Sequence, residues 1–398
     1  MNINDSPREA ELRAELRDWI ATEVPAHLKG RKHTLLADEV PERDAWQPLL
    51  DALERKGWLA PAWPKAHGGA GFGVGEMIVF NEEWIHAGLP NYRSDGLDKI
   101  GPTIIEAGSP EQQARFLEPT RRREIIWAQG YSEPGAGSDL ASLSLRADRV
   151  DGGYSLTGSK IWTSNGHNAD WLYVLARTEP DAKPRHAGIS MMILDARTPG
   201  VVLTPIVAID GFHEFNQTFF DGAFVPEDQV VGPLNDGWRV SNILLGYERF
   251  SHPAGNPQYH EAAMAQLKRD ARELPRGDGT LWDDKGLQRK VAQLEMEIDC
   301  LRAIRYRAQT QIAQVGRPGP EASIFKFYGG ELMQRIIELH QHVVGSAAAV
   351  WEAEPFGQDL RDLARKDAKS RSYTIAGGTK EIQRNIVAKR ILGMPDPT

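Results

Sequence analysis

The chain has 398 residues, 41% hydrophobic and 26% charged, with a formal net charge of −8. That length exceeds a single core and implies two or three domains, and the composition excludes a disordered or fibrous protein. The acidic balance excludes broad binding to nucleic acid or an anionic membrane, though it allows a local basic patch for an anionic ligand.

No segment approaches the apolar run of about 18 residues that a membrane span needs. The one cysteine, Cys300, rules out an intrachain disulfide and reads as a small buried apolar residue in a reducing compartment. Met1–Leu28 is rich in Glu and Asp and resembles neither a signal nor a transit peptide, so the cytoplasm is expected.

The chain opens with a helix. Ser6, Pro7 and Glu9 form a capping-box start, and Leu12, Leu16, Trp19, Ile20 and Val24 recur at helical spacing. Further helices are predicted over Arg43–Lys56, Val74–Ala87 and Glu111–Leu117, separated by glycine-rich turns. From Glu124 the texture changes to short segments rich in Val, Ile, Leu, Trp and Tyr. These are Ile125–Tyr131, Tyr154–Thr157, Trp171–Ala176, Gly188–Leu194, Val201–Val207 and Thr218–Phe220, broken by Gly, Pro, Asp and Asn. They predict an antiparallel β domain. Long periodic helices return at Trp238–Phe250, Gly286–Val315, Glu321–Val344 and Lys380–Leu392. Segregated helices and strands imply an α+β fold rather than an alternating sheet.

Gly69, Gly71, Gly73 and Gly75 never complete G-x-G-x-x-G and follow no apolar strand, so that stretch reads as a tight loop between helices and not as a dinucleotide fingerprint. Two later segments carry more chemistry. Tyr131-Ser132-Glu133-Pro134-Gly135-Ala136-Gly137-Ser138-Asp139 ends a strand and offers small residues, hydroxyls and backbone N–H groups. It suits either a hairpin loop or a turn that approaches a flat ring or a phosphate. Gly158-Ser159-Lys160-Ile161-Trp162-Thr163-Ser164-Asn165-Gly166 starts as a strand and closes on the hairpin dipeptide Asn-Gly. Its Trp162 lies among hydroxyl residues and could stack on an aromatic cofactor, although a lone Trp is more often core than cofactor wall.

Together these segments resemble the acyl-CoA dehydrogenase family. The likeness extends over nearly the whole chain: Gly57-Trp58-Leu59-Ala60-Pro61 and Gly68-Gly69 early, Phe224-Val225-Pro226-Glu227-Asp228 in the middle, and Ile375-Ala376-Gly377-Gly378-Thr379 with Glu381-Ile382-Gln383-Arg384 at the end. The resemblance implies an N-terminal helical domain (1–123), a middle β domain (124–234) and a C-terminal four-helix bundle (235–398). It implies FAD as cofactor, an acyl-CoA substrate, an electron-transfer flavoprotein as partner, an oligomer of identical or related subunits, and no metal. It places Tyr131 and Ser132 at the flavin, Ser132 on the pyrimidine side. Trp162 falls against the ring and Ser164 near N5. Ser138 is assigned to the thioester or pantetheine, Arg249 to the CoA nucleotide, and Thr379 and Glu381 to the ribose or adenine end.

The family's reaction needs a carboxylate beside the substrate's α-carbon, opposite the flavin. In most relatives it precedes the C-terminal Gly-Thr pair. That position here is Gly377, which has no side chain. A minority, including the isovaleryl and long-chain branches, carries the base on a central helix directly before an Arg. That position is Glu248, in Leu244-Leu245-Gly246-Tyr247-Glu248-Arg249. Leu244 and Leu245, one turn earlier, point to partly apolar surroundings. Read from the residues alone, Glu248 is rather a glutamate paired with a nearby arginine on a solvated helix face, where charged helical residues usually lie; the resemblance, with Gly377 vacant, makes it the base.

Small residues at Ala376 and Gly377 leave room for a bulky or branched acyl group, as in the steroid side-chain dehydrogenases that share this pattern. Two family elements are absent. No Arg-x-x-Phe-Gly stretch lies between Arg269 and Lys290, where Pro275-Arg276-Gly277-Asp278-Gly279 reads as a loop, and the adenine-side glycine loop is reduced to Val344-Gly345-Ser346-Ala347-Ala348. Such losses accompany hetero-oligomers in the family. Alternative readings are an O2-using oxidase or flavin monooxygenase of the same fold, a non-catalytic partner subunit, and a carrier-protein thioester in place of CoA.

Overall fold

The computed structural model describes residues 5–30, 46–251, 255–315, 319–351 and 358–395. The elements begin with α1 (Pro7–Glu23), α2 (Gln47–Lys56), α3 (Val74–His86), α4 (Gly101–Ala107) and α5 (Pro110–Arg121). Strands follow: β1 (Trp127–Gly130), β2 (Arg146–Val150), β3 (Gly153–Lys160), β4 (Trp171–Arg177), β5 (Ile189–Asp195), β6 (Val201–Val207), β7 (His213–Pro226) and β8 (Val230–Val231). The chain continues through α6 (Gly237–Ser251), α7 (Pro257–Glu273), the short strands β9 (Pro275–Arg276) and β10 (Gly279–Thr280), α8 (Lys285–Val315), α9 (Ala322–Val344), α10 (Gln358–Ser370) and α11 (Lys380–Arg390). The order helical, β, helical is the one expected. It forms two compact units: a helical unit of Met1–Ala52, Phe72–Asn91 and Arg249–Thr398, and a sheet unit of Leu53–Gly71 and Tyr92–Glu248.

In the helical unit α1 starts on the predicted capping box: the Glu9 N–H donates to Ser6 Oγ and the Ser6 N–H to Glu9 Oε2. Leu12, Leu16, Trp19 and Ile20 are buried as their spacing requires, and α1 packs on α3. Between them Arg13 reaches Glu82 and Glu83 at 2.9 and 2.7 Å, which neutralises two buried carboxylates that would otherwise be costly. Helix α9 contacts α7, α8, α10 and α11. Val291, Leu294, Ile298 and Leu301 of α8 meet Phe325, Leu332 and Ile336 of α9 and Met264 and Leu267 of α7 in one apolar core. Helix α7 goes unnoticed in a reading for apolar periodicity, although its start is written in the chain: Asn256 caps it, accepting from the Gln258 N–H, and Pro257 sits in the first turn. Of the predicted helix Arg43–Lys56, residues 43–45 lie outside the described residues, and the helix begins at Gln47.

The sheet unit is built on one eight-stranded sheet in the order β6-β7-β3-β2-β4-β5-β8, with β1 also on β4. Ala128, Leu156, Leu172, Val174, Met192 and Val225 form its core. Four expectations need correction. Cys300 on α8 is exposed rather than buried, because it lies off the apolar face that carries Ile298 and Leu301. The sheet is mixed: β1 runs parallel to β4, and Arg146 of β2 pairs in parallel with Arg177 of β4, because the long segment between β1 and β4 gives the crossover that a parallel pair requires. Asn165-Gly166 closes no hairpin. Asn165 is left-handed and starts a 3-10 turn, while β3 pairs with β2 and β7. Pro275–Gly279 is a tiny antiparallel hairpin rather than a loop, its turn made by left-handed Gly277.

The stretch His67–Gly71 is the tight turn expected: a Cβ on Gly69 would lie 2.1 Å from the Trp63 carbonyl oxygen. Among the described residues no helix is long and apolar enough to cross a membrane.

Candidate active site

The first chemical segment leaves β1 at Gly130, where a Cβ would press on Val174 at 2.7 Å. Glu133 and Ala136 exchange backbone hydrogen bonds of 2.8 and 3.0 Å and form a tight turn. The Glu133 carboxylate is turned inward. It accepts from the Ser144 N–H and hydroxyl at 2.7 Å, the Leu145 N–H at 2.8 Å and the Lys160 ammonium at 2.8 Å. Burial opposes its ionisation, but Lys160 and these donors hold it below the usual carboxylate range. Lys160, fully buried, is pulled down to about 8 by desolvation against the pull of Glu133, so the pair is ionic at neutral pH. Lys160 also donates to the Tyr131 carbonyl at 3.0 Å, and the Ile161 N–H to the Ser132 carbonyl at 2.8 Å. The two loops singled out in the sequence are thereby joined. Ser132 is half-buried and Ser138 exposed, and a Cβ on Gly135 or Gly137 would meet nothing.

Trp162 leaves this junction in the left-handed region, φ 63°, with 53% of its surface exposed. A non-glycine residue there costs about 1–3 kcal/mol and persists only where its surroundings hold it. The holders are the Ile161–Ser132 bond, reciprocal bonds between the backbones of Thr163 and Asn216 at 3.0 Å, and the Thr163 and Thr218 hydroxyls at 3.0 Å. Phe215 stands edge-on to the indole at 5.6 Å. Ser164 beside it is half-buried.

Glu248 lies half-buried on α6, one turn beyond fully buried Leu244. Tyr247 next to it donates to Glu106 of α4. The surroundings are less apolar than the leucines suggest. The charge of Glu248 acts on Tyr131, Tyr173 and Lys99. Lys99 sits in a π-helical turn, Gly96–Ile100, a form often found at functional sites. It pairs with Asp95 at 2.8 Å, which also accepts from the Tyr173 hydroxyl at 2.9 Å. Desolvation works against the Lys99 ammonium, but Asp95 and Glu248 outweigh it and raise its pKa. The side chain of Arg249 lies outside the described residues.

In the helical unit Gly377 and Gly378 are both left-handed, φ 65° and 89°, so position 377 lacks a side chain and has a backbone that disfavours one. Thr379 caps α11, its Oγ1 accepting from the Ile382 N–H at 3.3 Å, and Glu381 is exposed in the first turn.

The structure thus brings Tyr131, Ser132, Trp162 and Ser164 together, with Glu248 in the electrostatic environment of Tyr131, while Gly377, Thr379 and Glu381 belong to the start of α11. Glu133, Lys160, Asp95, Lys99 and Tyr173 escaped the reading of the sequence. Only Lys160 left a signal, since it shares the inward parity of Tyr154 and Leu156 along β3.

Family models match throughout: the acyl-CoA dehydrogenase N-terminal domain over residues 6–124, the middle domain over 128–222 and the C-terminal domain over 235–392. The acyl-CoA dehydrogenase IpdE1 of Mycobacterium tuberculosis is 36% identical over 97% of both chains. The ChsE4–ChsE5 complex from Mycobacterium tuberculosis is similar with a TM-score of 0.82 and 29% identity, covering 100% of both chains. The Tcur3481–Tcur3483 steroid acyl-CoA dehydrogenase gives 0.84 and 28%, again over 100% of both. The exposed, strained indole of Trp162 and the open face over Gly135 and Gly137 fit the flat ring of the flavin that such enzymes use. The chain belongs to the acyl-CoA dehydrogenase family.

Proposed function

We propose that this enzyme carries out FAD-dependent α,β-dehydrogenation of an acyl-CoA thioester to the trans-2-enoyl-CoA, with Glu248 as the base. Glu248 takes the α-proton, and the β-hydrogen leaves as hydride with its electron pair, so one C=C forms as two C–H bonds break. FAD, when bound, supplies the hydride acceptor; the protein supplies placement and the base. The observation that carries this reading is half-buried Glu248 on α6, whose charge acts on buried Tyr131, while Gly377 offers no side chain. Ser132, Tyr131, Trp162 and Ser164 hold the flavin ring, Thr379 and Glu381 its ribose or adenine end, and Ser138 and Arg249 the CoA moiety. The division at 123/124 and 234/235 belongs to the same proposal.

The small residues at 376 and 377 support a bulky or branched acyl group. The missing Arg-x-x-Phe-Gly stretch supports pairing with a related second subunit, and so do relatives whose names describe two-component complexes. Electrons then pass to an electron-transfer flavoprotein. Slow reoxidation of substrate-reduced enzyme in air is expected; fast reoxidation would place it with the oxidases.

The deciding experiment mixes enzyme anaerobically with a panel of acyl-CoAs and follows flavin bleaching in wild type and Glu248→Gln. The variant should bleach at least a hundred-fold more slowly, the usual loss of a general base. Equal rates would remove Glu248 from the role.

A further inference from the structure

We infer that His167 and His213 act through Asn216 as positioning residues for Trp162, and that a proton taken up by His167 loosens the indole and with it the flavin. This rests on the reading of Trp162 as a wall of the flavin site, and adds to it a pair of residues that makes flavin retention depend on pH.

Thr163, the next residue after Trp162, is gripped by Asn216 of β7. The Asn216 side chain is buried, with 1% of the residue exposed, and its Nδ2 donates to the Thr163 carbonyl at 3.1 Å, beside the reciprocal backbone bonds. A carbonyl only accepts, so this bond fixes which end of the amide is nitrogen. The same Nδ2 lies 3.2 Å from His167 Nδ1, and Oδ1 lies 2.9 Å from His213 Nε2. The tautomers follow. His167 Nδ1 carries no proton and accepts, while His213 Nε2 carries one and donates. The two rings stack with centroids 4.0 Å apart.

Only the neutral form of His167 suits this arrangement. A proton on Nδ1 would set an N–H against the amide N–H2 and bring a positive charge onto the ring of His213. His213 donates in either of its charge states and needs no change. His167 is exposed on the 3-10 turn Gly166–Asn168, so solvent protons reach it. That turn packs on β1, β6 and β7. β1 and β6 carry no titratable side chain, while β7 carries His213, Glu214 and Asp221. Of these, His213 bears on the charge of His167. Among the acids that flank the cluster in the chain, Asp170 is bound to the Ile126 N–H and Arg197, and Asp210 to the Phe212 N–H. Burial, and then His213, lower the pKa of His167, so its ring is neutral at pH 7 and charges only below the ordinary histidine value. Once it charges, Asn216 loses a fixed partner and its grip on Thr163 slackens. The left-handed backbone of Trp162, kept only by its surroundings, then relaxes.

The test dilutes the holoenzyme between pH 8 and 5 and reads FAD release as the rise in free-flavin fluorescence, for wild type, His167→Asn and Trp162→Gly. FAD favours the neutral ring, so wild-type affinity should be constant above about pH 6.5 and fall below it, by up to about ten-fold per pH unit for one proton. His167→Asn places a carbonyl oxygen near the site of Nδ1 and stays neutral. It should retain FAD as wild type does at pH 8, and about ten-fold better at pH 5. Trp162→Gly should bind FAD weakly across the range, without the fall below pH 6.5. Parallel profiles for wild type and His167→Asn would overturn the inference alone. An equal weakening at every pH in His167→Asn would make the turn a structural element, and also overturns it. Wild-type affinity in Trp162→Gly would overturn the reading of the indole as a flavin wall, and this inference with it.

Discussion

The Lys160 ammonium and the Glu133 carboxylate meet at 2.8 Å, the lysine with no exposed surface and the glutamate with 5%. This buried pair is what ties the loop after β1 to the end of β3: the same ammonium holds the carbonyl of Tyr131, one residue before Ser132, and Lys160 itself ends β3 two residues before Trp162. Removing one partner of such a pair strands the other charge, which costs about 3–5 kcal/mol, whereas replacing both with apolar groups of similar volume is near neutral. Lys160→Met alone should lower the denaturation midpoint accordingly, and Lys160→Met with Glu133→Met should recover most of it. The recovered double variant should still bind FAD at least ten-fold more weakly, because the Tyr131 carbonyl has lost its anchor. Wild-type affinity in that double variant would reduce the pair to a stability element.

Trp162 combines a left-handed backbone with an exposed indole, so its cost to folding and its use in binding should separate. Trp162→Gly relieves the strain and is expected to hold or raise the stability of the flavin-free protein by about 1 kcal/mol. Flavin affinity should fall at the same time, read by fluorescence titration. A loss of stability together with unchanged affinity would assign the indole to the core.

Gly377 is the position that the family resemblance assigns to the commoner placement of the base, and its φ of 65° makes any side chain there unfavourable. Gly377→Glu should destabilise the protein by about 1 kcal/mol or more. Placed in Glu248→Gln, it should not restore flavin bleaching. Recovery to near wild-type rates would show that the backbone does not bar a base at that position.

His260 is completely buried, Nδ1 facing the Asn256 carbonyl at 3.0 Å and Nε2 the Gly329 carbonyl at 2.9 Å. Burial lowers its pKa, and the two carbonyls offset this only in part. The unfolded chain therefore binds a proton more readily than the folded one. The stability contributed by the neutral ring is complete above about pH 6.5, the ordinary histidine value, and is lost as pH falls below it toward the folded pKa. Denaturation midpoints measured from pH 8 to 5 should fall more steeply for wild type than for His260→Gln. Parallel slopes would mean that His260 keeps its proton in the fold.

Much of this protein was legible in its residues. Apolar spacing at Leu12, Leu16 and Trp19, or at Val291, Leu294, Ile298 and Leu301, determines helices and their buried faces, because a helix repeats every 3.6 residues whatever packs on it. The order helical, β, helical followed in the same way. The loop Tyr131–Ser138, Trp162 and the vacancy at Gly377 were visible as residue types and spacings. Polar α10 and the short strands β2 and β8 were not, since tertiary contacts rather than periodicity make them.

What only the tertiary structure decided is which distant residues share a dielectric environment. β1 lies beside β4 through a crossover, not beside its nearest strand in sequence. Glu133 faces Lys160 across 27 positions, and Asp95 faces Tyr173 across 78. Coulomb energy and desolvation depend on distance and burial, and neither is written in a linear spacing. That is why Glu248 can be proposed as a base from the family resemblance, while the buried Glu133–Lys160 and Lys99–Asp95 pairs came to light only in the fold.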